Sequence, residues 1–167
     1  FTGLAQQPLY LGWLSWFSLV PLIFVLNRLE SLKEFIKAGF IWGFVYNLTV
    51  IFWLAMNIGT TPFIGLISML GAVLYCSLNC TIICFIMGML KFRYSQNWFW
   101  FMPFVWTTIE YIRNMDLQTG GPWTSIANTQ LDFLTLVQNA EVTGIYGITF
   151  WLILLNVAIF NWIDSPF

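Results

Sequence analysis

Apolar residues in this chain gather in long runs, and polar residues collect in the short stretches between them. The runs cover residues 9–26, 38–58, 63–90, 98–115 and 142–163. Each approaches or exceeds the roughly 18–20 residues that an α-helix needs to cross the hydrocarbon core of a bilayer. No two-residue alternation competes with these readings, and no fixed-period repeat is present. The pattern predicts an all-α protein: a polytopic transmembrane helix bundle of about five spans, preceded by the tail of an upstream helix in residues 1–8. It predicts one membrane domain over residues 1–167, with a polar loop at 116–141. The first run is too long for a signal-peptide core, and no small-residue cleavage site follows it.

Composition sharpens the class. Of 167 residues, 59% are hydrophobic, 20% aromatic and only 8% charged. A soluble domain carries about 25% charged residues, so a water-soluble globule and a disordered chain are both excluded. The net charge is −1 and no basic stripe occurs, which argues against a nucleic-acid partner. The chain has no His. Ser-His-Asp and Cys-His nucleophiles and His-ligated metals are therefore out of reach, and no cofactor is expected. The chain opens on Phe1 and closes on Asp164-Ser165-Pro166-Phe167, which reads as a piece of a longer product.

Charge placement predicts topology. Residues 27–37 hold Arg28, Lys33 and Lys37, and the stretch after the third run holds Lys91 and Arg93. Five alternating spans put both basic stretches on one side, which the positive-inside rule makes cytoplasmic. The 116–141 loop, with Gly120-Gly121-Pro122-Trp123, then faces the extracytoplasmic side.

Few residues could carry chemistry. Glu110 and Arg113, three apart, are neighbours on one helix face. A carboxyl group at that depth is costly unless it is paired, turned inward or wetted. The two form either the polar wall of an outward-opening site or an internal ion pair that fixes packing. Pro122 and Trp123 sit where a rigid turn and an amphipathic ring could shape a lipid entrance or simply anchor the loop at headgroup level. Asn128, Thr129 and Gln130 read as a solvated stretch. Cys76, Cys80 and Cys84, four apart, share a helix face without a cation to activate them, so they read as small packing residues. Gly39 and Gly43 form a GxxxG suited to close helix approach.

The order of motifs is familiar. It runs through Leu4-Ala5-Gln6-Gln7-Pro8, Ala38-Gly39-Phe40-Ile41-Trp42-Gly43-Phe44, Trp53, Pro103-Phe104-Val105-Trp106 and Glu110-Tyr111-Ile112-Arg113. It continues through Thr119-Gly120-Gly121-Pro122-Trp123, Gln130 and Gly144-Ile145-Tyr146-Gly147-Ile148-Thr149-Phe150. This resembles the N-terminal membrane domain of the apolipoprotein N-acyltransferase family, over essentially the whole chain. Gly121 departs from the family's Phe, and Ala127-Asn128-Thr129 from its Gly-Tyr-Ser.

The resemblance implies a bacterial inner-membrane acyltransferase. Such an enzyme moves an acyl chain from a phospholipid donor to the N-terminal diacylglyceryl-cysteine amine of a lipoprotein, through a thioester on a catalytic cysteine. It also implies that the Glu-Lys-Cys triad belongs to a nitrilase-like domain outside these residues. None of Cys76, Cys80 and Cys84 is then the acyl acceptor, and the chain alone is inactive. Its partners would be the phospholipid, the diacylglyceryl lipoprotein and membrane lipids. Glu110, Arg113, Pro122, Trp123 and Gln130 become candidate substrate-binding residues. Two alternatives stay open: a platform anchoring another envelope enzyme, such as a polyprenol-phosphate mannosyltransferase, and a small transporter. The scarcity of intramembrane charge disfavours the transporter.

Overall fold

The computed structural model describes residues 1–6, 9–94, 96–115 and 122–164. Among them the fold is all-α, as the apolar runs predict, without strands. Helix α1 spans Val20–Arg28, α2 Leu32–Ile51, α3 Pro62–Tyr94, α4 Met102–Met115, α5 Leu134–Val137 and α6 Ala140–Asp164. Three helical stretches are long and apolar enough to cross a membrane: Leu32–Met56, Pro62–Tyr94 and Ala140–Asp164. The first of them includes the 3₁₀ turn Phe52–Met56 that follows α2.

Several runs are not single continuous α-helices: 38–58 ends in the 3₁₀ turn, and 142–163 is interrupted at Gly144, whose φ is 65° and ψ −176°. Residues 98–115 divide into the 3₁₀ turn Trp98–Phe101 and the 14-residue α4. The 9–26 run contains the 3₁₀ turn Gly12–Trp16 and the nine-residue α1, with Pro21 in its first turn. A break inside a bilayer frees backbone groups that must find partners within the protein. Asn156 of α6 supplies them. Its Oδ1 accepts the Leu19 N–H at 2.8 Å, and its Nδ2 donates to the Ser15 carbonyl at 2.8 Å.

The closest helix pairing is that of α2 with α3. An added Cβ on Gly43 would lie 2.6 Å from Cys80 Cβ, and one on Gly39 would lie 2.7 Å from Cys84 Cβ. The GxxxG of one helix thus meets the cysteine face of the other, in antiparallel order. Cys80 and Cys84 are buried free thiols, and they act as the small packing residues their spacing predicts. Helices α4 and α6 are also antiparallel, through edge-on rings at Phe104–Phe150 and Tyr111–Tyr146. Helices α2 and α4 run parallel, with Trp42 edge-on to Trp106 and Phe35 edge-on to Trp98. The shared core includes Ile23, Met87, Trp98, Met102, Leu152 and Phe160.

Lys91 closes one end of the bundle. Its ammonium donates to the carbonyls of Leu26, Asn27 and Leu29 at 3.2, 2.7 and 2.8 Å. These carbonyls close the C-terminal end of α1, where Leu26 also accepts the Leu29 N–H at 3.3 Å, and a cation there suits the helix dipole. The same ammonium lies 5.7 Å from the Phe35 ring and 5.9 Å from the Trp98 ring. Arg28, Lys33, Lys91 and Arg93 gather at this end, whereas residues 122–143 sit at the opposite one.

Candidate functional site

The segment after α4 differs from the solvated loop expected at 116–141. Residues 122–137 form the 3₁₀ turns Pro122–Thr124 and Ile126–Gln130 and the short helix α5. Thr124, Ser125, Ile126, Ala127, Thr129 and Gln130 are buried. Their polar groups are satisfied by elements distant in sequence, which local composition does not reveal. Residues 116–121, including Thr119, Gly120 and Gly121 of the quoted motif, lie outside the described residues.

Gln130 is the first tie. It is fully buried, its Oε1 accepts the Trp16 indole N–H at 2.8 Å, and its Nε2 lies 2.7 Å from Ser15 Oγ and 3.1 Å from the Gly12 carbonyl. Thr129 Oγ1 donates to Ser15 Oγ at 2.9 Å. Gly12 is obligatory here, because a Cβ would stand 1.9 Å from the Thr129 carbonyl oxygen.

Glu110 is the second. Only 4% of its surface is exposed, and its carboxyl group accepts four hydrogen bonds. Oε1 takes the Trp106 indole N–H at 3.2 Å and the Ile126 backbone N–H at 3.3 Å. Oε2 takes the Ser125 hydroxyl at 2.9 Å and the Thr149 hydroxyl at 2.8 Å. Two stretches noted in the sequence, Pro103–Arg113 and 144–150, therefore converge with Ser125 and Ile126 on one carboxyl group. Arg113 is not among these four donors.

Arg113 turns elsewhere. Its Nη1 donates to Thr124 Oγ1 at 2.6 Å and its Nη2 to Asn114 Oδ1 at 3.5 Å. Its Nε, in a side chain only 8% exposed, has no hydrogen-bond partner among the described residues. The guanidinium borders a cavity of about 400 Å3 whose walls include Trp53, Gly71, Tyr75, Cys76 and Trp123. A second void, of about 20 Å3, lies between Arg113, Glu110, Asn79 and Tyr46, room for one water molecule. Trp123 is 65% exposed and meets Trp53 edge-on at 6.2 Å. Pro122 opens the 3₁₀ turn that carries Trp123. Among the described residues, no group of three His, Cys, Asp or Glu side chains could hold a metal ion.

The five candidates thus separate by geometry. Glu110 and Gln130 are spent on holding the 122–130 segment down. Arg113 of α4 and Trp123 line the cavity, with Pro122 at the start of the turn that carries Trp123. The sequence offered no hint of Tyr46, whose hydroxyl donates to the Thr124 carbonyl at 2.9 Å, or of Gly71. Thr149 was visible only as part of a motif, without a partner.

Comparison with known proteins decides the family. The family model described as the apolipoprotein N-acyltransferase N-terminal domain matches residues 1–158. The chain belongs to this family. The apolipoprotein N-acyltransferase of Geobacter metallireducens is 32% identical over 154 residues, covering 89% of this chain and 29% of that protein. That of Chlorobaculum tepidum is 28% identical over 149 residues, covering 87% and 26%. That of Rickettsia prowazekii is 26% identical over 154 residues, covering 85% and 29%. The chain spans less than a third of the length of these N-acyltransferases. No solved structure matches it.

Proposed function

We propose that this chain is the membrane platform of an apolipoprotein N-acyltransferase. It crosses a bacterial inner membrane five times and presents a phospholipid acyl donor to a catalytic domain on the extracytoplasmic side. That domain transfers the acyl chain to the amine of a diacylglyceryl-cysteine lipoprotein. The observation that carries the reading is Arg113: a buried cation whose Nε–H has no partner among the described residues, at the polar edge of an otherwise apolar cavity flanked by two tryptophans. A guanidinium matches the oxygens of a phosphodiester, and tryptophans favour the headgroup level. Glu110 and Gln130 position the segment that carries Thr124 and Trp123, without touching lipid.

The test is a chimera in which residues 1–158 replace the matching segment of the Geobacter metallireducens enzyme. N-acylation of a diacylglyceryl lipoprotein is read by mass spectrometry. The chimera is expected to acylate. Arg113→Gln, present in the membrane at equal amount, should slow acylation by about tenfold or more, the effect of losing one charge-assisted hydrogen bond. An inactive chimera beside an active parent would overturn the reading, as would an Arg113→Gln chimera with unchanged rate.

A further inference from the structure

The glycines of α2 and α3 divide sharply by what surrounds them. An added Cβ on Gly39, Gly43 or Gly88 would stand 2.6–2.8 Å from a side-chain carbon of the neighbouring helix, and one on Gly65 would stand 3.0 Å from the Ala55 carbonyl oxygen. Close packing demands those four. Gly71 is different: nothing lies within 4 Å of its Cβ position. It sits in the interior of α3 with helical geometry on both sides. A glycine there weakens the helix relative to alanine through its larger conformational freedom when unfolded. Packing gives no reason for it.

The cavity does. Gly71 lies in its wall, one turn from Tyr75 and on the same side as Ala72 and Cys76, while Arg113 and Trp123 close the other side. At about 400 Å3 the space falls within the range of small-ligand sites, roughly 300–1,000 Å3. Its lining pairs one buried cation with aliphatic and aromatic walls. That fits an amphiphile with an anionic phosphodiester head and an aliphatic tail: the head at Arg113, the tail leaving along α3.

We propose that Gly71 is the specificity-determining residue of this cavity: its missing side chain leaves the trough in α3 along which the aliphatic chain of a phospholipid lies, and so sets the chain length the site accepts. This rests on the reading of the cavity as the acyl-donor site. A side chain at 71 would fill the trough from open space, without displacing any helix, and would shorten the tail that fits.

The experiment uses the full chain in detergent, titrated with phosphatidylethanolamines of short, medium and long acyl chains, with binding read by native mass spectrometry. The wild-type chain should bind the long-chain lipid, and Arg113→Gln should weaken binding at every chain length. Gly71→Leu should weaken the long-chain lipid by roughly tenfold or more while sparing the short one, as expected for on the order of two methylene groups left unburied. Gly71→Ala, which adds a single methyl group, should fall between the two. Circular dichroism of each variant should match the wild type. If the wild-type chain binds the long-chain lipid and needs Arg113 to do so, but Gly71→Leu keeps the wild-type chain-length profile, the role of Gly71 is overturned and the cavity reading survives. If the wild-type chain binds none of these lipids, both fall.

Discussion

Glu110 is the residue that ties together the end of the bundle opposite Lys91. Four donors from three separate parts of the chain point at its two oxygens. Removing the acceptor leaves those donors buried and unmatched, at about 1–3 kcal/mol for each that finds no substitute. Glu110→Ala should therefore destabilise the protein by about 3 kcal/mol or more, and Glu110→Gln, which retains one oxygen and can still bridge two hydroxyls, by less. Thermal unfolding in detergent gives the ranking. Limited proteolysis should show the cut moving into residues 122–130 in the alanine variant; equal stability of all three proteins would contradict the assignment. Part of this was legible in the sequence. An acid at that depth had to be paired, turned inward or wetted, and Glu110 is turned inward, at 4% exposure. Its partners were not legible, because spacing within one helix suggested Arg113, whereas the donors come from Ser125, Ile126 and Thr149 on later elements as well as from Trp106.

At the scale of elements, the small-residue spacing of α2 and of α3 marked each as suited to close helix approach, without saying that the two faces would meet. Glycine at i and i+4 on one helix, and cysteine at the same spacing on the other, leave no bulk between the two backbones. The same logic separates Gly43 from Gly71. Gly43→Ala would force its new methyl group against Cys80, so it should lower the unfolding midpoint, in the range of about 1–3 kcal/mol typical of overpacking. Gly71→Ala meets nothing and should raise stability by about 0.5–1 kcal/mol, the helix-propensity gain alone. Unfolding of the two variants side by side checks the opposite signs. The broken 9–26 run shows where sequence reading stops. Its apolar composition is that of a continuous helix, but Asn156, 137 positions from Leu19, offers the amide that makes the break tolerable. The polar residues at 124–130 were misjudged for the same reason. Thr129 and Gln130 look like solvated loop residues until the backbone of Gly12–Trp16 is brought beside them.

At the scale of the whole molecule, helix directions, basic residues and the cavity make one arrangement. Lys91 and its neighbours occupy one end, and Trp123 with residues 122–143 the other. The 33-residue α3 is about 50 Å long at 1.5 Å per residue, longer than the roughly 30 Å hydrocarbon core, so it tilts or projects beyond it. The proposed role needs the Trp123 end on the side where a lipoprotein amine is exposed. The most direct measurement is labelling of intact cells with a membrane-impermeant maleimide, using Leu134→Cys at the exposed surface of α5 and Lys33→Cys at the basic end, each in a Cys76→Ser background. Modification of Leu134→Cys from outside, with Lys33→Cys reacting only after the membrane is opened, is the predicted result. Labelling of both from the same side, or of Lys33→Cys alone from outside, would contradict the platform described here.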